Sequence, residues 1–225
     1  FRAEVAGLVT AFLGSINVDG PESAELVSLC LSAIAPQLSA MRDRAARAAV
    51  IGAVQALGRL DAGLVEVGRL LGDLDSWDPS ALDEPDYERR LAALSHLRSL
   101  PAASLDLSGP SGRLLPILHS LLFAVQHHGQ DDLALRNQSA ALIASWIEAD
   151  GAVSTAGPSC LWTDTLLPAI RRGVQSAVEA VRVEFMQLLG RCCAVYGNTV
   201  ADLAPLRVLL ADAEADVFLN LGHVQ

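Results

Sequence analysis

The sequence contains no lysine; all 16 of its basic residues are arginine. Aromatics make up only 4% of it, its four cysteines form no C-x-x-C pair, and it holds no long uncharged apolar run. Each absence excludes something. Without paired cysteines there is neither a zinc site nor a disulfide framework, so Cys30, Cys160, Cys192 and Cys193 read as small hydrophobes kept reduced. Without an apolar run of about 18 residues, no membrane span is predicted. No basic stretch followed by an apolar core opens the chain, so no signal peptide is expected. With so few aromatics, the interior must be built from Leu, Ala, Val and Ile.

The motifs of enzyme chemistry are missing as well. There is no phosphate-cradling GxxxxGK[ST] or GxGxxG loop, no GxSxG elbow and no HExxH. His127 and His128 stand beside Gly129 and suit the negative pole of a helix end better than a metal. Asp73, Asp75 and Asp78 lack the glycine and the terminal bidentate Glu of a calcium loop. Asn137-Gln138-Ser139 has the form of a glycosylation sequon but falls in a predicted helix. The sequence therefore predicts no enzyme, no catalytic residue, no cofactor and no metal.

Net charge is −10, which disfavours the segment as a stand-alone grip on nucleic acid. The charge is uneven, however. Residues 42–59 hold four arginines and one aspartate, acids dominate 61–88, and residues 160–199 set four arginines against three acids. Arg171, Arg172 and Arg191 are accordingly the candidate contacts for an anionic partner or RNA.

What the sequence does contain is helical periodicity. Apolar spacing predicts helices over 2–13, 22–35, 41–60, 64–74, 86–100, 114–127, 131–148, 161–172, 177–196 and from 202 onward, with Pro36 closing the second. Loops are expected at 75–85, 101–112 and 150–158. Arg44, Arg90, Arg136 and Arg182 recur every 46 residues. Seven residues after each stands Ile51, Leu97, Ile143 or Leu189, and ten after each Val54, Leu100, Trp146 or Cys192. That period is the mark of stacked helix pairs of the HEAT and armadillo kind. The expected fold is all-α, a solenoid of antiparallel helix pairs at roughly 21–60, 61–100, 112–149 and 159–197, with a truncated pair at 201–225, in a segment of a longer protein. Each register arginine can lie along the apolar seam and reach a carbonyl or carboxylate of the adjoining turn, and Asp43, Glu88, Asp132 and Glu179 lie one to four residues upstream. A repeat-internal structural role is expected for these four, with a phosphate-binding ladder as the alternative.

From Asp86 onward the sequence resembles a known family. DYERRLAALSHL (86–97), LRNQSAALIASWI (135–147), LLPAIRRGVQSAVEAVRVEFMQLLGR (166–191) and DVFLNLGHVQ (216–225) are similar to the small subunit processome component 20 homologs, the "down-regulated in metastasis" HEAT-repeat family. In the last stretch Asp216, Phe218, Asn220, His223 and Gln225 match, and Val217 stands where an aromatic is usual. Residues 1–85 fit only as further repeats. The resemblance implies a nucleolar scaffold of the small-subunit processome, acting in pre-18S rRNA processing through protein partners and RNA. It implies no catalytic residues. A HEAT scaffold of another class, such as a nuclear transport receptor or a regulatory subunit, is the alternative.

Overall fold

The computed structural model describes residues 2–15, 21–80, 84–101, 112–127, 132–153 and 161–196. Nearly all regular structure there is helical: α1 (Arg2–Ser15), α2 (Pro21–Ala40), α3 (Arg44–Leu57), α4 (Gly63–Leu74), α5 (Tyr87–Ser99), α6 (Leu115–His127), α7 (Leu133–Val153), a π-helical turn (Leu161–Leu166), α8 (Leu167–Val174) and α9 (Glu179–Tyr196). The expected all-α class holds. The single β-type pairing among the described residues is a bridge between Trp77 and Pro85. The expected pair at 201–225, the 216–225 motif, Cys160 and His128 lie outside the described residues.

Local chemistry sets the helix ends. Asp43 caps α3 by accepting from the Ala46 N–H at 2.7 Å, and Asp86 caps α5 by accepting from the Arg89 N–H at 3.0 Å. Each such cap contributes about 1 kcal/mol. Pro168 stands at the junction where a π-helical turn, Leu161–Leu166, passes directly into α8.

The chain forms two compact units, 1–143 and 144–225. In the first, α1 lies on α3, α3 packs against α2 and α4, and α4 packs against α5 and α6. α6 also lies along α2, so packing there does not follow chain order alone. The core is aliphatic, as the scarcity of aromatics requires: Leu31, Leu38, Val54, Leu57, Leu64, Leu71, Ile117 and Val125 are wholly buried. α2 is long and apolar enough in composition to cross a membrane. Its Val27, Leu31, Ala35 and Leu38 are buried, while Leu29 is exposed. In the second unit α8 packs on α9 and on the π-turn before it. Gly173 permits that approach, because a Cβ there would overlap the Phe185 ring.

Three boundaries differ from the sequence expectation. Pro36 does not close α2, which continues to Ala40. The proline forfeits one backbone bond, but the extra turn places Leu38 and Ser39 in the interior. Residues 150–153, expected as loop, are instead the end of α7, which runs to Val153. There Asp150 accepts from the Tyr196 hydroxyl at 2.6 Å, and Gly151 makes room for Val195, so contacts with α9 hold the extra turn. The helix expected over 161–172 starts as a π-turn before it becomes α8.

Candidate functional site

Arg47, Arg90, Arg136 and Arg182 each occupy the fourth position of a helix, in α3, α5, α7 and α9. An arginine there points back over the preceding corner, because helical side chains lean toward the N-terminus. The corner is where the chain reverses and leaves carbonyls without helical partners.

Arg47 is the most elaborately held. Its side chain is 4% exposed. Nε donates to Asp75 Oδ1 at 2.8 Å, Nη1 to the carbonyl of Leu38 and, at 3.5 Å, to that of Met41, and Nη2 to Ser120 Oγ at 3.1 Å. The guanidinium carbon stands 3.8 Å from the centre of the Phe123 ring. One side chain thereby ties together the end of α2, the corner after α4, and α6. Beside it, Ser39 Oγ donates to the Pro36 carbonyl at 2.9 Å and lies 3.2 Å from His119 Nδ1.

Arg90 is buried and donates through Nε to the carbonyl of Ser76 at 3.0 Å. Burial pulls its guanidinium below the ordinary arginine range, while the nearby Asp75 and Asp132 work in the opposite direction. Arg182 is half-buried and donates through Nη1 to the carbonyls of Ser176 at 2.8 Å and Ala177 at 3.2 Å. Arg136 differs. It is 4% exposed, and neither its Nε nor Ser139 Oγ one turn on has a hydrogen-bond partner among the described residues.

Arg44, the remaining member of the 46-residue series, is the first residue of α3 and is exposed. Its guanidinium lies 4.3 Å from the centre of the Trp77 ring, which Arg90 also approaches at 5.3 Å. The fourth-position residue of α3 is therefore Arg47, three positions further on. Sequence reasoning passed over it because Arg44 kept the spacing even. The usable signal was an aspartate four residues upstream: Asp43 before Arg47, Asp86 before Arg90 and Asp132 before Arg136. Val178 breaks the pattern before Arg182. There Ser176 Oγ accepts from the Val178 N–H at 3.2 Å.

The three arginines expected to face an anionic partner do not share one environment. Arg171 and Arg172 are exposed in the last turn of α8, and neither forms an ion pair or hydrogen bond among the described residues. Arg191 is exposed on α9 but donates to Glu148 Oε1 at 3.1 Å. On the α4–α5 surface the charges are spent on one another. Arg69 engages Glu66 and Asp73, Asp73 also takes Arg89, and His96 stands 3.5 Å from Glu66. The arginine neighbour, through hydrogen bond and charge, holds the Glu66 carboxyl below its usual range.

A shallow polar cleft is lined by Ser23, Ser28, Leu60, Asp61 and Arg113. Arg113 donates to Asp61 Oδ2 at 2.7 Å across it. Among the described residues no group of three or more His, Cys, Asp or Glu is placed to hold a metal. Burial raises the thiols of Cys30, Cys192 and Cys193 above the usual range, which leaves them poor nucleophiles. What the geometry offers is a set of internal arginine fasteners and an exposed arginine pair.

The family profile of the N-terminal region of U3 small nucleolar RNA-associated protein 20 matches residues 3–178. The chain belongs to that family. The match takes in residues 3–85, expected from sequence only as further repeats, and ends before the 216–225 motif. The chain is 28% identical over 177 residues, 75% of its length, to U3 small nucleolar RNA-associated protein 20 of Saccharomyces cerevisiae. It is 27% identical over 171 residues, 74% of its length, to the protein of the same name in Schizosaccharomyces pombe. It spans only 7% and 6% of those relatives.

Proposed function

We propose that this segment is a non-enzymatic part of a nucleolar scaffold in the small-subunit processome, acting in pre-18S rRNA processing and 40S ribosome biogenesis. The observation that carries this is the family match across residues 3–178, whose relatives are named for association with U3 small nucleolar RNA. The architecture is consistent with it. Helix follows helix with an arginine at position four of α3, α5, α7 and α9, which supports a solenoid segment of helix pairs at about 21–60, 61–100, 112–149 and 159–197. Such an array presents extended surfaces to several partners at once.

Within it, Arg171 and Arg172 are the candidate contact for an anionic partner, pre-rRNA or guide RNA included. They are adjacent and exposed and form no ion pair or hydrogen bond among the described residues, whereas Arg47, Arg69, Arg89, Arg90, Arg113 and Arg182 are held by acids or carbonyls. Arg191, tied to Glu148, is a peripheral member of that surface.

The test is removal of the segment from the full-length protein in cells. The reading expects weaker co-purification of processome proteins and accumulation of unprocessed small-subunit rRNA precursor. Undisturbed association and processing would contradict it.

A further inference from the structure

The described ends of the connection from α4 to α5 are drawn together by backbone hydrogen bonds. This neck is closed by the Asp78 N–H donating to the Glu84 carbonyl at 2.9 Å and the Asp86 N–H donating to the Ser76 carbonyl at 3.1 Å. Ser76 and Trp77 face inward at the base, where Ser76 Oγ donates to the Asp73 carbonyl at 2.7 Å and Trp77 lies against Arg44 and Arg90. Ser80 projects the other way. It is exposed, and its hydroxyl donates to Asp78 Oδ1 at 2.6 Å, as does its own N–H at 2.8 Å.

In sequence Ser80 is followed by Asp83, Glu84 and Asp86, acids at three, four and six positions on. Among the described residues two other serines also have an acid three positions on, Ser145 before Glu148 and Ser176 before Glu179. Both are spent structurally. Ser145 lies inside α7, where a kinase cannot draw the backbone into an extended strand. Ser176 is half-buried, and its Oγ receives the Val178 N–H at the start of α9. Ser80 alone of the three combines exposure, non-helical backbone and a run of acids.

We propose that Ser80 is a phosphorylation site for an acidophilic serine kinase, one that selects serine by a carboxylate three residues downstream. In the reaction the Ser80 Oγ attacks the γ-phosphorus of ATP and the bond to the β-phosphate oxygen breaks. The hydroxyl proton passes to the kinase base and ADP leaves. The modification also acts on the loop. It adds about −1.5 to −2 charges beside a carboxylate and deletes the hydroxyl proton that Asp78 accepts. Repulsion between phosphate and Asp78 loosens the neck that positions Trp77.

The experiment incubates the whole 225-residue chain with such a kinase and ATP and maps the phosphate by mass spectrometry. Phosphate on Ser80, abolished in Ser80→Ala and reduced in Asp83→Asn/Glu84→Gln, is the expected result. Amide exchange in residues 75–86 should then be faster in the phosphorylated chain than in the unmodified one. Label that persists in Ser80→Ala, or a chain that stays unlabelled while an acidic reference peptide is phosphorylated, would overturn the proposal. Full labelling of Asp83→Asn/Glu84→Gln would refute the acidophilic assignment.

Discussion

Arg47 and Asp75 lie 28 residues apart in sequence and meet at 2.8 Å, with side chains 4% and 14% exposed. Their pairing joins the fourth position of α3 to the C-cap of α4. The other guanidinium nitrogens are satisfied by the Leu38 and Met41 carbonyls and by Ser120, so desolvation of the charge is compensated on every side. Asp75 also opposes the effect of burial on Arg90, so one carboxylate serves two buried guanidiniums.

Arg136 should behave in the opposite sense. A buried guanidinium whose Nε has no partner among the described residues is desolvated without full compensation. Arg136→Leu is expected to leave stability unchanged or raise it by about 1 kcal/mol, by urea denaturation followed by circular dichroism. A loss of several kcal/mol would show that a partner is engaged there.

Gly173 tests the α8–α9 crossing. Its replacement by alanine puts a methyl group into the Phe185 ring. The expected cost is about 1–3 kcal/mol, visible as a lower urea midpoint. Phe185→Leu in the same chain should recover part of it. A fully stable Gly173→Ala chain would mean the helices do not meet as described.

Asp61 sets an acid limit. Burial opposes its ionisation, but the hydrogen bonds from Arg113 and from the Gly63 N–H, with the arginine charge, outweigh that and hold its pKa below the usual carboxylate value. A folded-state pKa below the unfolded one gives stability that is present above the unfolded value, about 3.9, and lost as pH falls through the folded value. Asp61→Asn should therefore be less stable than the parent at neutral pH, and the gap should close in acid. A gap independent of pH would remove the ion pair from the account.

Arg171 and Arg172 are exposed and form no ion pair or hydrogen bond among the described residues, so reversing both should leave folding within about 0.5 kcal/mol of the parent. In the full-length protein, Arg171→Glu/Arg172→Glu should weaken association with small-subunit precursors and flatten its salt dependence. Arg191→Glu should do less, because Glu148 already holds that side chain. Association unchanged across the salt series would remove this surface from the proposal.

The all-helical class was legible because apolar spacing repeats at helical period in every segment. Pro36 was misread as an end because a local rule says proline stops helices, while the burial of Leu38 beyond it is a tertiary effect. The even 46-residue spacing of the arginines pointed to Arg44, whereas the buried arginine of α3 is Arg47. Real loops vary in length, and what fixes the position is the distance from the capping aspartate, Asp43 to Arg47 and Asp86 to Arg90. The partners of these arginines were out of reach of sequence. They are chiefly backbone carbonyls at Leu38, Ser76 and Ser176, which no residue type announces. The exposed pair at Arg171 and Arg172 was readable from charge, whereas the engagement of Arg191 by Glu148, 43 residues away, needed the fold.

Arg47, at the fourth position of α3, fastens the corner before its helix, whereas Arg44, at the first position, is exposed at the border of that corner. Urea unfolding of Arg47→Ala beside Arg44→Ala tests this most directly. Arg47→Ala should lose about 3–5 kcal/mol, because it leaves Asp75 and two carbonyls without their donor. Arg44→Ala should lose no more than about 1 kcal/mol, because Arg44 is exposed and its interactions are screened by solvent. Equal losses, or a larger loss at Arg44, would contradict the account.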